Sequence, residues 1–151
     1  MIEKQKKELL ISACLLGIPC RWNGTSKESQ KALKLYFKGG AVPVCPEVIA
    51  GLATPRPPCE IIGGDGKDVL NGTAKVMDET GKDYSKYFIK GVQKTLALAK
   101  KLGVKIVVLK SGSPSCGAKK IYSGKFDGSK RKGFGVTAAL LKKHGIKIIE
   151  V

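Results

Sequence analysis

Cys14, Cys45 and Cys116, three of the chain's five cysteines, are the residues best placed to do chemistry. Cys14 follows Leu9-Leu10-Ile11-Ser12-Ala13 and Cys45 follows Ala41-Val42-Pro43-Val44. Cys116 follows Ile106-Val107-Val108-Leu109 across the turn-rich segment Lys110-Ser111-Gly112-Ser113-Pro114-Ser115. Apolar, β-branched runs of this length read as buried strands of a parallel sheet. Open α/β sheets work in the crevice beyond the carboxyl ends of their strands. If the three strands are neighbours, three thiols converge there. Three thiolates without an evident fourth ligand suit either a zinc ion or a cubane iron–sulfur cluster with one iron left free. One cysteine alone is better read as inert packing, but three at equivalent strand ends favour ligation. No pair has C-x-x-C spacing, so a metal site must be assembled from distant segments. Cys20 and Cys59 end no strand in this reading and are weaker candidates.

Arg56 is flanked by Pro55, Pro57 and Pro58. Such a stiff arm offers a rigid guanidinium fork to a substrate carbonyl or a sulfide, against the plainer reading of a surface arginine. Gly133-Phe134-Gly135 before the last helix is a weak candidate for anion binding at a helix N-terminus. His144 reads as a helix-end residue.

The elements needed to position these groups follow from pattern. After the first strand and an Asn23-Gly24 turn, Thr25 or Ser26 can cap a helix over 27–38, with Ala32, Leu33, Tyr36 and Phe37 facing inward. Prolines exclude residues 54–60 from a central strand. Residues 61–77 suggest short strands and turns in a small antiparallel excursion, and no helix is expected after Gly63-Gly64. A long helix is expected over 83–102, with Phe88, Val92, Leu96 and Ala99 buried. Residues 118–135 read as loop, 136–144 as a helix and 146–149 as a final strand. The pattern predicts an α/β fold: one Rossmann-like, three-layer domain spanning 1–151, with a mainly parallel sheet.

The chain's 151 residues are enough to build such a core without disulfides or other staples. Lysine and arginine total 28 against 12 acidic residues, a net charge of +16. Such a field attracts RNA or anionic substrates. With only three arginines and few aromatic residues, a lysine-rich solvated surface is the better reading. No apolar run is long enough to span a membrane. Acidic residues and the Gly17-Ile18-Pro19 break argue against a signal peptide, so a cytoplasmic location is expected. There, five cysteines point to metal binding or catalysis more than to disulfides.

The blocks SACLLG-x-x-C-R-W-N-G, VPVCPEVIAGLATPRPPCEIIGG, LKSGSPSCG and GFGVTAALLKKHGI cover most of the chain in order. Together they resemble the 2-thiouracil desulfurase family. The resemblance implies a 4Fe-4S cluster held by Cys14, Cys45 and Cys116, whose fourth iron captures the sulfur of a thiocarbonyl substrate. It implies a non-redox reaction in which thiouracil and water give uracil and hydrogen sulfide. Glu47 matches the family's proton-transfer carboxylate, able to activate water or protonate sulfur. Ser113 matches its catalytic serine. Ser115 is a second candidate for holding substrate, though a turn residue is its better structural reading. The expected partner is a small thiolated base, with thiolated tRNA left open by the basic surface, and the expected assembly is a monomer or weak homodimer. Two other readings compete: a basic RNA-binding module with a structural metal site, and a metal-free thiol enzyme.

Overall fold

A computed structural model describes residues 6–151; residues 1–5, on which part of the signal-peptide reading rests, lie outside the described residues. β1 (Leu9–Ser12) runs into a 3-10 turn at Ala13–Leu16, then α1 (Gln30–Phe37) and β2 (Ala41–Val44). A one-turn helix, α2 (Pro46–Ile49), precedes the proline-rich arm. β3 (Cys59–Ile62), α3 (Gly66–Asn71) and β4 (Lys75–Asp78) follow, then α4 (Ser85–Leu102) and β5 (Ile106–Leu109). The hairpin β6 (Lys120–Tyr122) and β7 (Lys130–Lys132), α5 (Val136–Lys143) and β8 (Lys147–Glu150) complete the chain.

The central sheet is parallel, in the order β2-β1-β5-β8. Leu10 pairs with Val107 and Ile11 with Val108, so successive residues face opposite sides. Leu10 and Val107 pack with Leu96 and Ala99 of α4 and Ala138 and Leu141 of α5. Ile11 and Val108 pack on the other side with Ala32 of α1 and Leu15. Helices therefore cover both faces, as a two-sided apolar strand requires. Leu109 is wholly buried, and its truncation to alanine is expected to cost about 2–5 kcal/mol. The antiparallel pair β3–β4 packs against the outer part of α4 through Ile61, Val76, Phe88 and Val92.

Chain order reverses between β1 and β5. From β1 the chain winds through α1 to β2; from β5 it winds through α5 to β8 on the opposite side. That reversal is where strand carboxyl ends diverge and leave a crevice.

Several local expectations are corrected. A helix does follow Gly63-Gly64: Asp65 caps α3, its side chain accepting from the Lys67 N–H at 3.0 Å, while Asp68 accepts from the Asp65 N–H at 2.9 Å. Val69 and Leu70 thus lie in a helix. Residues 118–135 hold the β6–β7 hairpin, paired through Ile121 and Arg131. α1 is capped by Ser29, which accepts from the Ala32 N–H at 3.2 Å. Only Ala32 of that helix is fully buried, and Phe37 is 79% exposed, because α1 shares its face of the sheet with the 3-10 turn and packs mainly on that turn. Among the described residues, no helix is long and apolar enough to cross a membrane.

Candidate active site

A cavity of about 280 Å³ opens at the carboxyl ends of β1, β2 and β5. The three cysteines singled out by their spacing, Cys14, Cys45 and Cys116, line it, as do Arg56 and the residues named from the family resemblance, Glu47, Ser113 and Ser115. Cys20 and Cys59 line it too, so all five thiols share one space, and none is in a disulfide.

Each thiol arrives by a different local device. Cys14 lies in the 3-10 turn directly after β1, buried against Leu15 and Ala32. Cys45 is the last extended residue before Pro46 opens α2, proline being suited to a first helical position because it lacks an N–H. Cys116 ends a tight loop whose geometry is set by hydrogen bonds. Ser113 Oγ accepts from the N–H groups of Ser115 and Cys116, at 2.9 and 3.0 Å. The carbonyls of Pro114 and Ser115 accept from the first N–H groups of α5, Val136 at 2.8 Å and Thr137 at 2.9 Å. The helix end considered for anion binding is thus occupied by the Cys116 loop. A Cβ at Gly135 would meet the Ser115 carbonyl, so only glycine allows loop and helix this close. Beyond the cysteine, Glu150 Oε2 accepts from the Ala118 N–H at 2.6 Å.

The thiols interact electrically. A hydrogen bond with Cys20 lowers the Cys14 pKa, and the same contact pushes Cys20 up to about 11. Cys45 is raised, chiefly by its contact with Cys20 and then by burial. Burial pushes Cys116 and Cys59 up to about 12, with the Glu47 charge adding in the same direction. Burial and neighbouring groups thus disfavour the thiolate form of Cys20, Cys45, Cys59 and Cys116. Two cationic side chains line the same space besides Arg21. Arg56 is one of them. Lys110, the first residue after β5, is depressed first by burial and then by Arg21.

Glu47 sits in the first turn of α2, and Arg56 Nε donates to its Oε2 at 2.6 Å. Ser115 is buried, its hydroxyl 2.7 Å from that of Thr137, so it holds the loop to α5. Ser113 Oγ accepts twice, which leaves its proton free to donate.

Sequence reasoning missed Lys110 and Trp22, both of which line the cavity. Lys110 carries the same signal as the cysteines, a chemically capable residue just past a strand end. Trp22 is 43% exposed and stands beside Arg21, in a loop the sequence marked only as a turn.

Residues 9–151 match the family model for 2-thiouracil desulfurase. The chain belongs to the 2-thiouracil desulfurase family. It is 51% identical over 141 residues to the Bacillus subtilis (strain 168) protein YbbK, a match covering 93% of each chain. It also matches a solved [4Fe-4S]-dependent thiouracil desulfidase, TudS, with a TM-score of 0.84 and 41% identity. That match covers 96% of this chain and 91% of the other. Family and structural neighbour agree on an enzyme that desulfurates, and on a mixed α/β fold with a mainly parallel sheet.

Proposed function

We propose that this chain removes sulfur from a thiolated pyrimidine of the 2-thiouracil type, replacing C=S with C=O and releasing hydrogen sulfide without net redox change. The observation that carries this is the convergence of Cys14, Cys45 and Cys116, from three parallel strand ends, on a cavity that Glu47 and Ser113 also line. The donor set suits a 4Fe-4S cluster like the one the structural neighbour depends on. Three soft sulfur donors, the ligand type that such clusters take, line one cavity. Cys14, Cys45 and Cys116 would hold the cluster. When bound, the cluster supplies a thiophilic Lewis acid at the iron that has no protein ligand.

The protein's own groups do the rest. Glu47 takes a proton from the water that adds to the thiocarbonyl carbon and passes it to the departing sulfur. It then takes the second proton from the new C–OH as it becomes C=O and passes that on too, so both water protons leave as hydrogen sulfide. Ser113 donates its free hydroxyl proton to the substrate while its lone pairs hold the Cys116 loop. Tyr122, Phe126 and Trp22 give the cavity flat apolar walls suited to a planar ring. The cavity's size favours a free base as the substrate, with nucleoside and tRNA forms as the alternatives to test.

Anaerobic reconstitution tests this directly. Wild type is expected to hold roughly four irons per chain and to release sulfide from 2-thiouracil faster than from thiolated tRNA. C14A, C45A and C116A should each fail to assemble the cluster. A colourless zinc protein with steeply salt-dependent RNA affinity and no sulfide release would overturn the proposal.

A further inference from the structure

Arg56 stands out because its hydrogen bonds are already complete. Its Nε donates to Glu47 Oε2, and its Nη2 lies 2.6 Å from the same oxygen. Nη2 also donates to the Cys20 carbonyl at 2.8 Å. Nη1 donates to the Thr54 hydroxyl at 3.0 Å and to the Ala53 carbonyl at 3.3 Å. A guanidinium has five N–H donors in a fixed fork, and protein groups meet each of its three nitrogens. Its backbone N–H is also taken, by the Trp22 carbonyl at 2.7 Å. The Arg56 side chain is 7% exposed and that of Glu47 is 16% exposed.

The carboxylate is used unevenly. Both contacts fall on Oε2, while Oε1 accepts no hydrogen bond from the described residues. No buried side-chain oxygen or nitrogen among those residues lacks a partner, so Oε1 is reached by solvent. Glu47 lines the cavity, and its charge is felt by Cys45, Cys59 and Cys116.

We infer that Arg56 is a positioning residue for Glu47, fixing Oε2 so that Oε1 is presented to the cavity, and that it is not a fork for the substrate. The arrangement joins three segments that the sequence keeps apart: α2 with Glu47, the loop carrying Cys20 and Trp22, and the proline-rich arm. The stiffness of the arm has a purpose in this arrangement. Prolines on both sides of Arg56 limit how far the guanidinium can drift from a carboxylate that must point one way. The kinetic part of this inference rests on the desulfuration reading above; the pairing itself does not.

The experiment compares anaerobically reconstituted wild type, R56Q, R56K, E47Q and R56Q/E47Q, with 2-thiouracil as substrate. Each protein is also taken through a thermal melt. R56Q is expected to keep its iron and its KM within about threefold while kcat falls about 100-fold, the scale of loss from misplacing a reacting group by an ångström. R56K keeps the charge with fewer donors and should show the same kcat-only loss, about tenfold. It carries the test if R56Q does not fold. The double variant should be no slower than E47Q, since a positioning residue adds nothing once the group it positions is gone. Its melting loss should likewise be smaller than the sum of the two single losses, because each single change leaves a largely buried charge unpaired. A raised KM at unchanged kcat would place Arg56 on the substrate and overturn the inference. So would a double variant slower than E47Q, or strictly additive melting losses. Wild type that releases no sulfide from thiouracil would refute the desulfuration reading instead, and the melting cycle would still decide the pair.

Discussion

Gly91 is the position where a single methyl group should reach the site from farthest away. It lies inside α4, where alanine is intrinsically better than glycine by about 0.8–1 kcal/mol. Its α-carbon, however, faces α2. A Cβ there would run into the Pro46 carbonyl oxygen, with the Pro46 carbonyl carbon 3.0 Å away and Ala50 Cβ 3.1 Å away. The obstacle is backbone, so α2 must retreat by about 1 Å to restore ordinary contact. Overpacking of this kind costs about 1–3 kcal/mol. After subtracting the propensity gain, Gly91→Ala should lose up to about 2 kcal/mol, or roughly 4–8 °C of melting temperature at that upper end for a chain of this size. The functional loss should be larger, because Cys45 and Glu47 flank Pro46 and move with it. A displacement of that size is expected to lower turnover about 100-fold. Thermal melts with kcat and iron content on the reconstituted enzyme measure both effects. A variant that is more stable than wild type and fully active would show that α2 is not braced on α4, and the account of how Cys45 and Glu47 are placed would fail with it.

Further predictions follow from single contacts. Ser113→Ala removes the acceptor for two N–H groups of the Cys116 loop and should lose about 1–2 kcal/mol in denaturant melts as well as turnover; an unchanged melt would leave the serine a purely chemical role. Thr137→Val breaks the buried pair with Ser115 and should cost about 1–3 kcal/mol, read by the same melts. Glu60 Oε1 accepts from the Gly124 and Phe126 N–H groups, at 2.8 and 3.3 Å, where the hairpin loop meets the cavity. Glu60→Ala should therefore speed hydrogen exchange at those two amides while leaving β5 protected. Asp78 is held below its usual pKa, first by the Thr80 hydroxyl. A carboxylate depressed on folding adds stability that is present above its unfolded pKa of about 3.9 and is lost as pH falls through the lower folded value. The stability gap between wild type and Asp78→Asn should accordingly be constant near neutrality and shrink below about pH 4.

The strands were legible where pattern and burial coincide. Ile106–Leu109 read as a strand because a sheet covered on both faces demands continuous apolar runs, and Ala41–Val44, at the partly exposed sheet edge, carries the same apolar run. The stripe of Phe88, Val92, Leu96 and Ala99 was legible for the same reason, a helix with one face against the core. Elements that violate those patterns were not. β7 is Lys130-Arg131-Lys132, a strand with no apolar side chain, which exists only because β6 pairs with it. α2 is a single turn entered through a proline, too short to show a period. α3 did announce itself, through Asp65 and Asp68 at capping-box spacing, but the double glycine before it suggested a turn and nothing more.

The site divides along the same physical line. That Cys14, Cys45, Cys116 and Glu47 would meet at one cavity was legible because each lies in a short sequence step after a strand, and the fold class dictates where strand ends meet. What aims them is long-range and leaves little local trace. Arg56 is nine residues from Glu47 and 36 from Cys20. Ser115 is 22 from Thr137. Gly91 is far from Pro46 in sequence yet tolerates no Cβ beside its carbonyl. Ligands and proton carriers must be particular residue types, so sequence exposes them. A brace need only fill a space or satisfy a donor, which many residues do elsewhere for ordinary reasons. Arg56 shows the consequence. Its type and its prolines marked it as a guanidinium fork, but only the positions of Glu47 Oε2 and the Cys20 carbonyl show that the fork is already occupied.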